Sequence, residues 1–156
     1  MHARTLRAGS PGRSPYDHGM TEADYRLALR VMTMPRDTNH SGTVFGGVIM
    51  SMIDQAAYVQ ARSHGLHRWV TVAMEKIEFH APVFTGELVT LRTRTVRSGR
   101  TSVTVHVVVD AERVATGEVA RVTEATVTMV SVDASRKPIP FDSPVTLTDL
   151  TDSERG

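Results

Sequence analysis

A long helix that is apolar on most of its sides is the feature that most constrains this fold. Residues 45–64 contain no Pro, and their apolar side chains recur at helical spacing. They form two adjacent stripes, Val48, Met52, Ala56 and Val59 on one and Ile49, Ile53, Ala57 and Ala61 on the other. A helix that is apolar over so wide an arc is covered by more than one packing surface. Gly65 follows the helix as a candidate cap.

Strand-like segments lie on both sides of this helix. Apolar alternation predicts one strand at residues 27–31 and another that starts at residue 70. In the second, the apolar phase changes at Ile77 and Phe79, which predicts a bulge before Pro82 closes the strand. Three more strands are predicted at residues 87–97, 101–110 and 114–133. This order predicts an α+β fold, in which the helix lies on a curled antiparallel sheet whose last four strands form a meander with short turns.

The two ends of the chain differ in pattern from this body. Residues 1–20 contain several Arg, Gly, Ser and Pro but no apolar stretch of a secretory signal. We interpret them as a flexible extension, as a transit peptide, or as residues that precede a true start at Met20. Residues 141–156 are interpreted as a C-terminal tail that drapes over the domain. One domain is therefore expected over residues 21–140, a normal domain size.

Composition argues against several classes of function. Eighteen basic and seventeen acidic residues give a formal net charge of +1, so no nucleic-acid or membrane partner is expected. Cysteine is absent, which excludes disulfides and thiolate chemistry and is compatible with a cytoplasmic location. The seven histidines form no zinc-binding helix motif, and we expect no metal. His64 and His67 are expected to interact with the last carbonyl groups of the helix.

Asp54 is the only carboxylate between Asp37 and Glu75. It belongs to the remaining stripe of the helix, together with Ser51, Gln55, Tyr58 and Arg62. One interpretation is that this stripe faces water and that Asp54 solvates it. The other is that Asp54 lies in a cleft, where partial burial tunes its carboxylate as a base or a nucleophile. The spacing is compatible with both.

Two glycines, Gly46 and Gly47, stand at the start of the helix. The first N–H groups of a helix have no partner within it and favour negative charge. Without side chains in the way, such groups can polarise a carbonyl oxygen as it becomes an oxyanion. The alternative is that the glycines only permit a tight entry or close packing.

Residues 34–54, MPRDTNHSGTVFGGVIMSMID, resemble nearly position by position the loop and central helix of the cytosolic acyl-coenzyme A hydrolase family of hotdog proteins, which includes the YciA-like enzymes. The resemblance covers about residues 26–140. It continues through residues 70–72, Glu75, Phe79, Pro82-Val83, Gly86-Glu87, residues 99–103 and residues 133–138.

The resemblance implies a hotdog fold, in which a curled antiparallel sheet of about five strands wraps one long helix and dimerises into a continuous sheet. It implies a thioesterase that hydrolyses acyl-CoA to a free carboxylic acid and coenzyme A. No cofactor is implied, because coenzyme A is part of the substrate. The implied assembly is a homodimer or a trimer of dimers.

The roles of individual residues follow from the same resemblance. Asp54 matches the catalytic carboxylate, acting as general base or nucleophile, and Asn39 matches the loop asparagine that orients water or the thioester. The backbone N–H of Gly47 matches the group that binds the thioester oxygen. The positions that match the binding of coenzyme A are Gly46, Ser98, Gly99, Arg100, Thr101, Ser102 and Lys137. For Arg100, a solvated turn residue is the alternative.

The spacing along the helix predicts a site that is shared between chains. Gly46 and Asp54 are eight residues apart, which corresponds to about 12 Å of helix. One thioester carbonyl cannot contact both. We therefore predict that Asn39 and Gly47 of one chain act with Asp54 of another, across a two-fold axis that places two such helices antiparallel.

Two other functions remain open on the sequence. A hotdog dehydratase or hydratase uses a His paired with an acid, and the sequence around Asn39 and His40 lacks the Asp-x-Asn-x-x-His type of motif. A non-catalytic acyl-CoA-binding module would not need Asp54 and Asn39, and both are intact here. An enzyme is therefore favoured.

Overall fold

Five strands and one long helix form the described part of the protein. The computed structural model describes residues 21–147. The predicted extension at residues 1–20 and the tail residues 148–156 lie outside this range. In chain order, the elements are β1 (Arg26–Met32), α1 (Gly46–Arg62), β2 (Arg68–Glu75), β3 (Leu88–Ser98), β4 (Ser102–Glu112) and β5 (Val119–Val132). The predicted arrangement of one helix on a curled antiparallel sheet is confirmed.

The strand order in the sheet is β1-β3-β4-β5-β2, and all neighbouring strands are antiparallel. The meander is therefore limited to β3, β4 and β5. The prediction that β2 continues it through a short turn is wrong, because β2 pairs with β5 at the opposite edge. Residues 76–87 cross from that edge back to β3, and Lys76, with φ of 59°, turns the chain at the point of departure.

Two strand boundaries also differ from the prediction. β2 ends at Glu75, so Ile77 and Phe79 lie in the connection to β3 instead of continuing the strand. The predicted bulge lies earlier, where the register with β5 shifts between Thr71 and Ala73. β5 starts at Val119 and not at residue 114, because residues 113–118 form a turn closed by hydrogen bonds between backbone groups.

One face of α1 is buried against the sheet, through Ile49, Met52, Ile53, Ala56, Ala57 and Ala61. Facing it are the alternating valines of β4, which are fully buried at positions 103, 105, 107 and 109. The sheet covers less of the helix than its apolar arc spans, since Met50 and Val59 remain 42% and 45% exposed. No helix in residues 21–147 is long and apolar enough to cross a membrane.

Candidate active site

Asn39 organises the loop that leads into α1. Its side-chain oxygen accepts hydrogen bonds from the backbone N–H groups of Ser41 (2.8 Å) and Thr43 (3.3 Å). Its amide nitrogen donates to the Thr43 hydroxyl at 2.9 Å. Gly42 completes the turn with φ of 81°, a conformation that glycine adopts without strain. An asparagine that accepts such local bonds fixes the loop, while one amide proton stays available for another acceptor.

The start of α1 presents two free donors. Val48 and Ile49 both direct their N–H groups to the carbonyl oxygen of Phe45. Within residues 21–147, the N–H groups of Gly46 and Gly47 have no hydrogen-bond acceptor. A Cβ at Gly47 would meet nothing within 4 Å. The first turn of the helix therefore offers its positive dipole end to an approaching oxygen.

A cavity of about 320 Å³ lies beside these donors. Its walls come from the loop before α1, from the first turn of α1 and from the connection between β2 and β3. The side chains of Ile49, Val83 and Val122 make it mainly apolar, and Gly46 and Thr43 border it. This is a suitable space for an apolar chain attached to a polarised carbonyl group.

Asp54 lies two turns further along the helix and does not border this cavity. Its carboxylate is half-buried and accepts a 2.5 Å hydrogen bond from the hydroxyl of Thr71 on β2. Thr71 was missed as a candidate site residue. The only signal in the sequence was its position within the matched segment 70–72, because nothing in the sequence shows that β2 packs beside this part of the helix.

The predicted catalytic residues thus form two groups in one chain. Asn39 and Gly47 belong to the loop and the first turn of α1. They do not line the cavity themselves, but Thr43, which Asn39 contacts, and Gly46 do. Asp54 and Thr71 form the second group. Gly47 and Asp54 are separated by seven residues, or about 10 Å of helix.

The residues predicted to hold coenzyme A lie at the opposite end of the sheet, apart from Gly46. Residues 98–102 form the β3–β4 turn, in which the Gly99 N–H donates to the Ser102 carbonyl oxygen at 2.8 Å. Lys137 lies in a second turn, where its N–H donates to the Asp133 carboxylate at 2.9 Å. Hydrogen bonds from Phe141 to Arg100 and from Ser131 to Thr101 place the two turns side by side.

This end carries an exposed cluster of positive charge. The side chains of Arg97, Arg100, Arg136 and Lys137 are all exposed there. They lie near the C-terminal end of α1. Within one chain, their distance from Gly47 is therefore roughly the 25 Å length of the helix. Phosphate groups are the natural ligands of such a cluster.

The C-terminal end of α1 is not built as predicted. The side chains of His64 and His67 do not bind the last helix carbonyls, although the backbone N–H of His64 donates to the carbonyl oxygen of Ala61 at 2.9 Å. His64 Nε2 is 2.7 Å from the Thr95 hydroxyl, and the buried His67 contacts the Phe141 carbonyl oxygen at 2.9 Å. Desolvation by burial lowers the pKa of His64.

Gly65 is also not a helix cap, because α1 ends at Arg62 with Ser63 in the capping position. Its role is close packing. A Cβ on Gly65 would lie 2.6 Å from the carbonyl oxygen of Phe141 and 2.8 Å from the ring of His67. Only a residue without a side chain fits between these groups.

Within residues 21–147, no three side chains of the types that bind metals come together. The groups that are present can support water-mediated or nucleophilic acyl transfer. Backbone donors at Gly46 and Gly47 can stabilise an oxyanion, and the Asp54 carboxylate can accept a proton or attack a carbonyl carbon.

Comparison with known proteins gives a consistent result. A sequence model of the thioesterase superfamily matches residues 41–118. The acyl-CoA thioester hydrolase YciA of Escherichia coli is 37% identical over 124 residues, which are 78% of this chain and 92% of YciA. The uncharacterized acyl-CoA thioester hydrolase ZMO0511 of Zymomonas mobilis is 50% identical over 80 residues. The matched residues are 51% of this chain, and this chain spans about half (54%) of the length of the Zymomonas protein.

Solved structures share the fold. Cj0915, a hexameric hotdog fold thioesterase of Campylobacter jejuni, superposes with a TM-score of 0.71 at 39% sequence identity. The match covers 74% of this chain and 90% of the Campylobacter chain. The prediction of a hotdog fold is confirmed.

Proposed function

Because this chain belongs to the thioesterase superfamily, among its acyl-CoA thioester hydrolases, we propose that it hydrolyses acyl-CoA to a free carboxylic acid and coenzyme A. The observation that carries the proposal is the pair of free N–H donors at Gly46 and Gly47, of which Gly46 lines an apolar cavity. The cavity would hold the acyl chain, and the donors would hold the thioester oxygen.

The chemistry needs little more than these groups. With Asp54 as general base, its carboxylate takes a proton from water, and the hydroxide adds to the thioester carbon. The Gly47 N–H stabilises the resulting oxyanion, with Asn39 orienting the water or the thioester. The carbon–sulfur bond then breaks, and coenzyme A leaves as a thiolate that takes up the proton.

With Asp54 as nucleophile, its carboxylate adds to the thioester carbon, and the same donors stabilise the oxyanion. The carbon–sulfur bond breaks to give a mixed anhydride and the coenzyme A thiolate. Water then hydrolyses the anhydride, which releases the carboxylic acid, regenerates the Asp54 carboxylate and supplies the proton for the thiolate.

Two chains are needed to bring these groups together. Asp54 lies about 10 Å along the helix from Gly47, so in our proposal Asn39 and Gly47 of one chain act with Asp54 of its partner. The surface around Asp54 is suited to contact a second copy of this chain. Met50 and Val59 on α1 and Val72 on the free edge strand β2 are exposed apolar side chains. A two-fold axis beside β2 would cover them and extend the sheet.

The larger assembly follows from this dimer. Cj0915 is a hexamer, and we propose a hexamer here, built as a trimer of dimers. The basic cluster around Arg100 and Lys137 lies far from Gly47 of the same chain. In the proposed assembly it takes the nucleotide end of coenzyme A bound at another chain's site. We propose a cytoplasmic location, where acyl-CoA is available.

The first test is release of free coenzyme A from a panel of short, medium, long and aryl acyl thioesters. Hydrolysis of at least one with normal saturation kinetics is the expected result. A protein that binds acyl-CoA but releases no coenzyme A from any of them would be a binding module, and the proposal would be wrong.

The second test addresses the shared site. Asn39→Ala and Asp54→Asn chains, each nearly inactive, are co-expressed at equal levels. About half of the dimers are then mixed, and each mixed dimer has one intact site of two. Activity should recover to about a quarter of the wild-type value. If mixed dimers form and the mixture stays inactive, each site belongs to one chain.

A further inference from the structure

A buried ion pair lies behind one wall of the cavity. The Glu87 side chain is only 5% exposed, and the Arg113 side chain 22%. One nitrogen of Arg113, Nη1, donates to both carboxylate oxygens of Glu87, at 2.7 and 2.9 Å. Each charge thus has a partner at the end of β4, where the carboxylate is buried and the guanidinium is partly exposed.

The pair also holds the backbone of the wall itself. The same Nη1 of Arg113 donates to the carbonyl oxygen of Pro82 at 2.9 Å. The carboxylate of Glu87 accepts a hydrogen bond from the N–H of Phe84 at 3.0 Å. Between these two anchors stands Val83, which is 3% exposed and, like Pro82, lines the cavity.

The wall is joined in turn to the loop that carries Asn39. The N–H of Val44 donates to the carbonyl oxygen of Val83 at 2.8 Å. Thr43, whose hydroxyl accepts the Asn39 amide, forms a β-bridge with Phe84. A displacement of the wall would therefore be transmitted to the end of this loop and to the first turn of α1, where Val44 and Gly46, respectively, border the same cavity.

We propose that Glu87 and Arg113 are positioning residues that fix the cavity wall and thereby determine which acyl groups are hydrolysed. This inference rests on the proposed function, in which the cavity holds the acyl chain. Neither side chain needs to touch the substrate. With the wall fixed, an acyl chain that is too long or too bulky binds poorly, because displacing packed side chains to make room for it costs free energy.

The test compares Arg113→Met with a control of the same kind. Arg113→Met removes the three hydrogen bonds of Nη1 and keeps an unbranched side chain. Arg30→Met is the control. Arg30 forms an exposed 3.2 Å ion pair with Glu112, the last residue of β4, and this pair lies away from the cavity. For each protein, kcat/KM is measured for acyl-CoAs from short to long. The ratio between poor and good substrates is independent of the amount of folded enzyme, because both values come from one preparation.

In Arg113→Met, we expect the ratio of kcat/KM between poor and good substrates to come closer to one by at least about threefold. The reason is that a wall without its anchor discriminates less between acyl groups. Arg113→Lys should restore most of the discrimination, since an ammonium group also has three donors. Arg30→Met should keep the wild-type ratio. Should Arg113→Met yield no folded protein, Glu87→Gln takes its place with the same expectation, because it keeps an acceptor for Phe84 but loses the charge.

An unchanged ratio in the active Arg113→Met enzyme would overturn the inference and leave the proposed function intact. An equal shift in Arg30→Met would also overturn it, because the effect would then not come from the wall. Absence of hydrolysis by the wild-type protein would instead overturn the proposed function, and this inference with it.

Discussion

The backbone polar groups at the two ends of α1 differ in whether they have hydrogen-bond partners. At the C-terminal end the last carbonyl groups are paired inside the protein: Ala61 accepts a hydrogen bond from the N–H of His64 at 2.9 Å, and Arg62 accepts one from the N–H of Gly65 at 3.3 Å. At the N-terminal end, the N–H groups of Gly46 and Gly47 remain without an acceptor within residues 21–147.

The difference shows how one helix can serve stability and chemistry at once. Unpaired donors reduce stability, and most helix ends satisfy theirs with caps. Here the well-packed C-terminal end and the buried middle of α1 hold the helix in place. The N-terminal end is then able to keep donors free for a ligand, because its position does not depend on them.

The largest expected effect is at Asp54. Asp54→Asn should lower kcat/KM by about a hundredfold or more, because it removes the proposed base or nucleophile. The melting temperature should stay near the wild-type value, since the side chain is half-buried and the amide oxygen can still accept the Thr71 hydrogen bond. Coenzyme A release and thermal denaturation measure the two quantities. Gln55→Ala, on the next and exposed residue, is the control, and near-normal turnover in Asp54→Asn would exclude the proposed role.

A pair of glycine variants tests the contrast between the helix ends directly. Gly65→Ala should lower the free energy of unfolding by about 2 kcal/mol, because its Cβ collides with backbone and ring atoms. Its kcat/KM per folded molecule should be unchanged.

Gly47→Ala should do the reverse. No atom lies within 4 Å of its Cβ, so stability should hold or rise slightly. Its kcat/KM should fall about tenfold, because the methyl group enters the space proposed for the thioester. Denaturant unfolding measures the free energy of unfolding of both variants, and steady-state kinetics measure their kcat/KM. Equal loss of stability in both variants would remove the distinction between the two ends.

A smaller loss is expected at Thr71. Thr71→Val removes the hydrogen bond that orients the Asp54 carboxylate, and kcat should fall about fivefold with little change in KM. Thr128→Val on the adjacent strand β5 is the matched control, since valine suits a strand equally well there. If the two variants have the same kinetics, Thr71 does not orient Asp54.

The smallest effect concerns pH at the packed end. Burial lowers the pKa of His64, so the folded protein binds the proton less readily than the unfolded chain does. Its stabilising contribution is present above the ordinary histidine pKa of about 6.5 and is lost as pH falls through the lowered value. The melting temperature should thus decline on acidification, and less steeply in His64→Gln. Identical slopes for the two proteins would show that His64 does not contribute.

Periodicity in the sequence located the helix and all five strands but not their neighbours. Alternation shows that residues 70–74 form a strand, yet it contains no information about which strand they pair with. The left-handed conformation of Lys76 also has no signal in the sequence, because lysine rarely adopts it. The strand order was therefore predicted wrongly only where β2 joins the sheet.

The same limit applies to the site. Asn39, Gly47 and Asp54 are identified by matching a known pattern, and their roles stay predictions. Thr71 could not be found, because its relation to Asp54 exists only once β2 packs beside α1. The side-chain partners of His64 and His67 were predicted wrongly for a similar reason: Thr95 and Phe141 are distant in sequence.

The strand order also determines the expected sequence of folding events. β3, β4 and β5 are joined by short turns, so their pairing closes small loops and costs little chain entropy. β2 pairs with β5 across more than fifty residues, from Glu75 to Thr126 at the nearest end. Contacts so distant in sequence form slowly, and we expect β2 to dock late. Since Thr71 lies on β2, the Asp54 carboxylate would acquire its final orientation in this late step. A refolding chain should then regain the circular dichroism of its sheet before it regains activity.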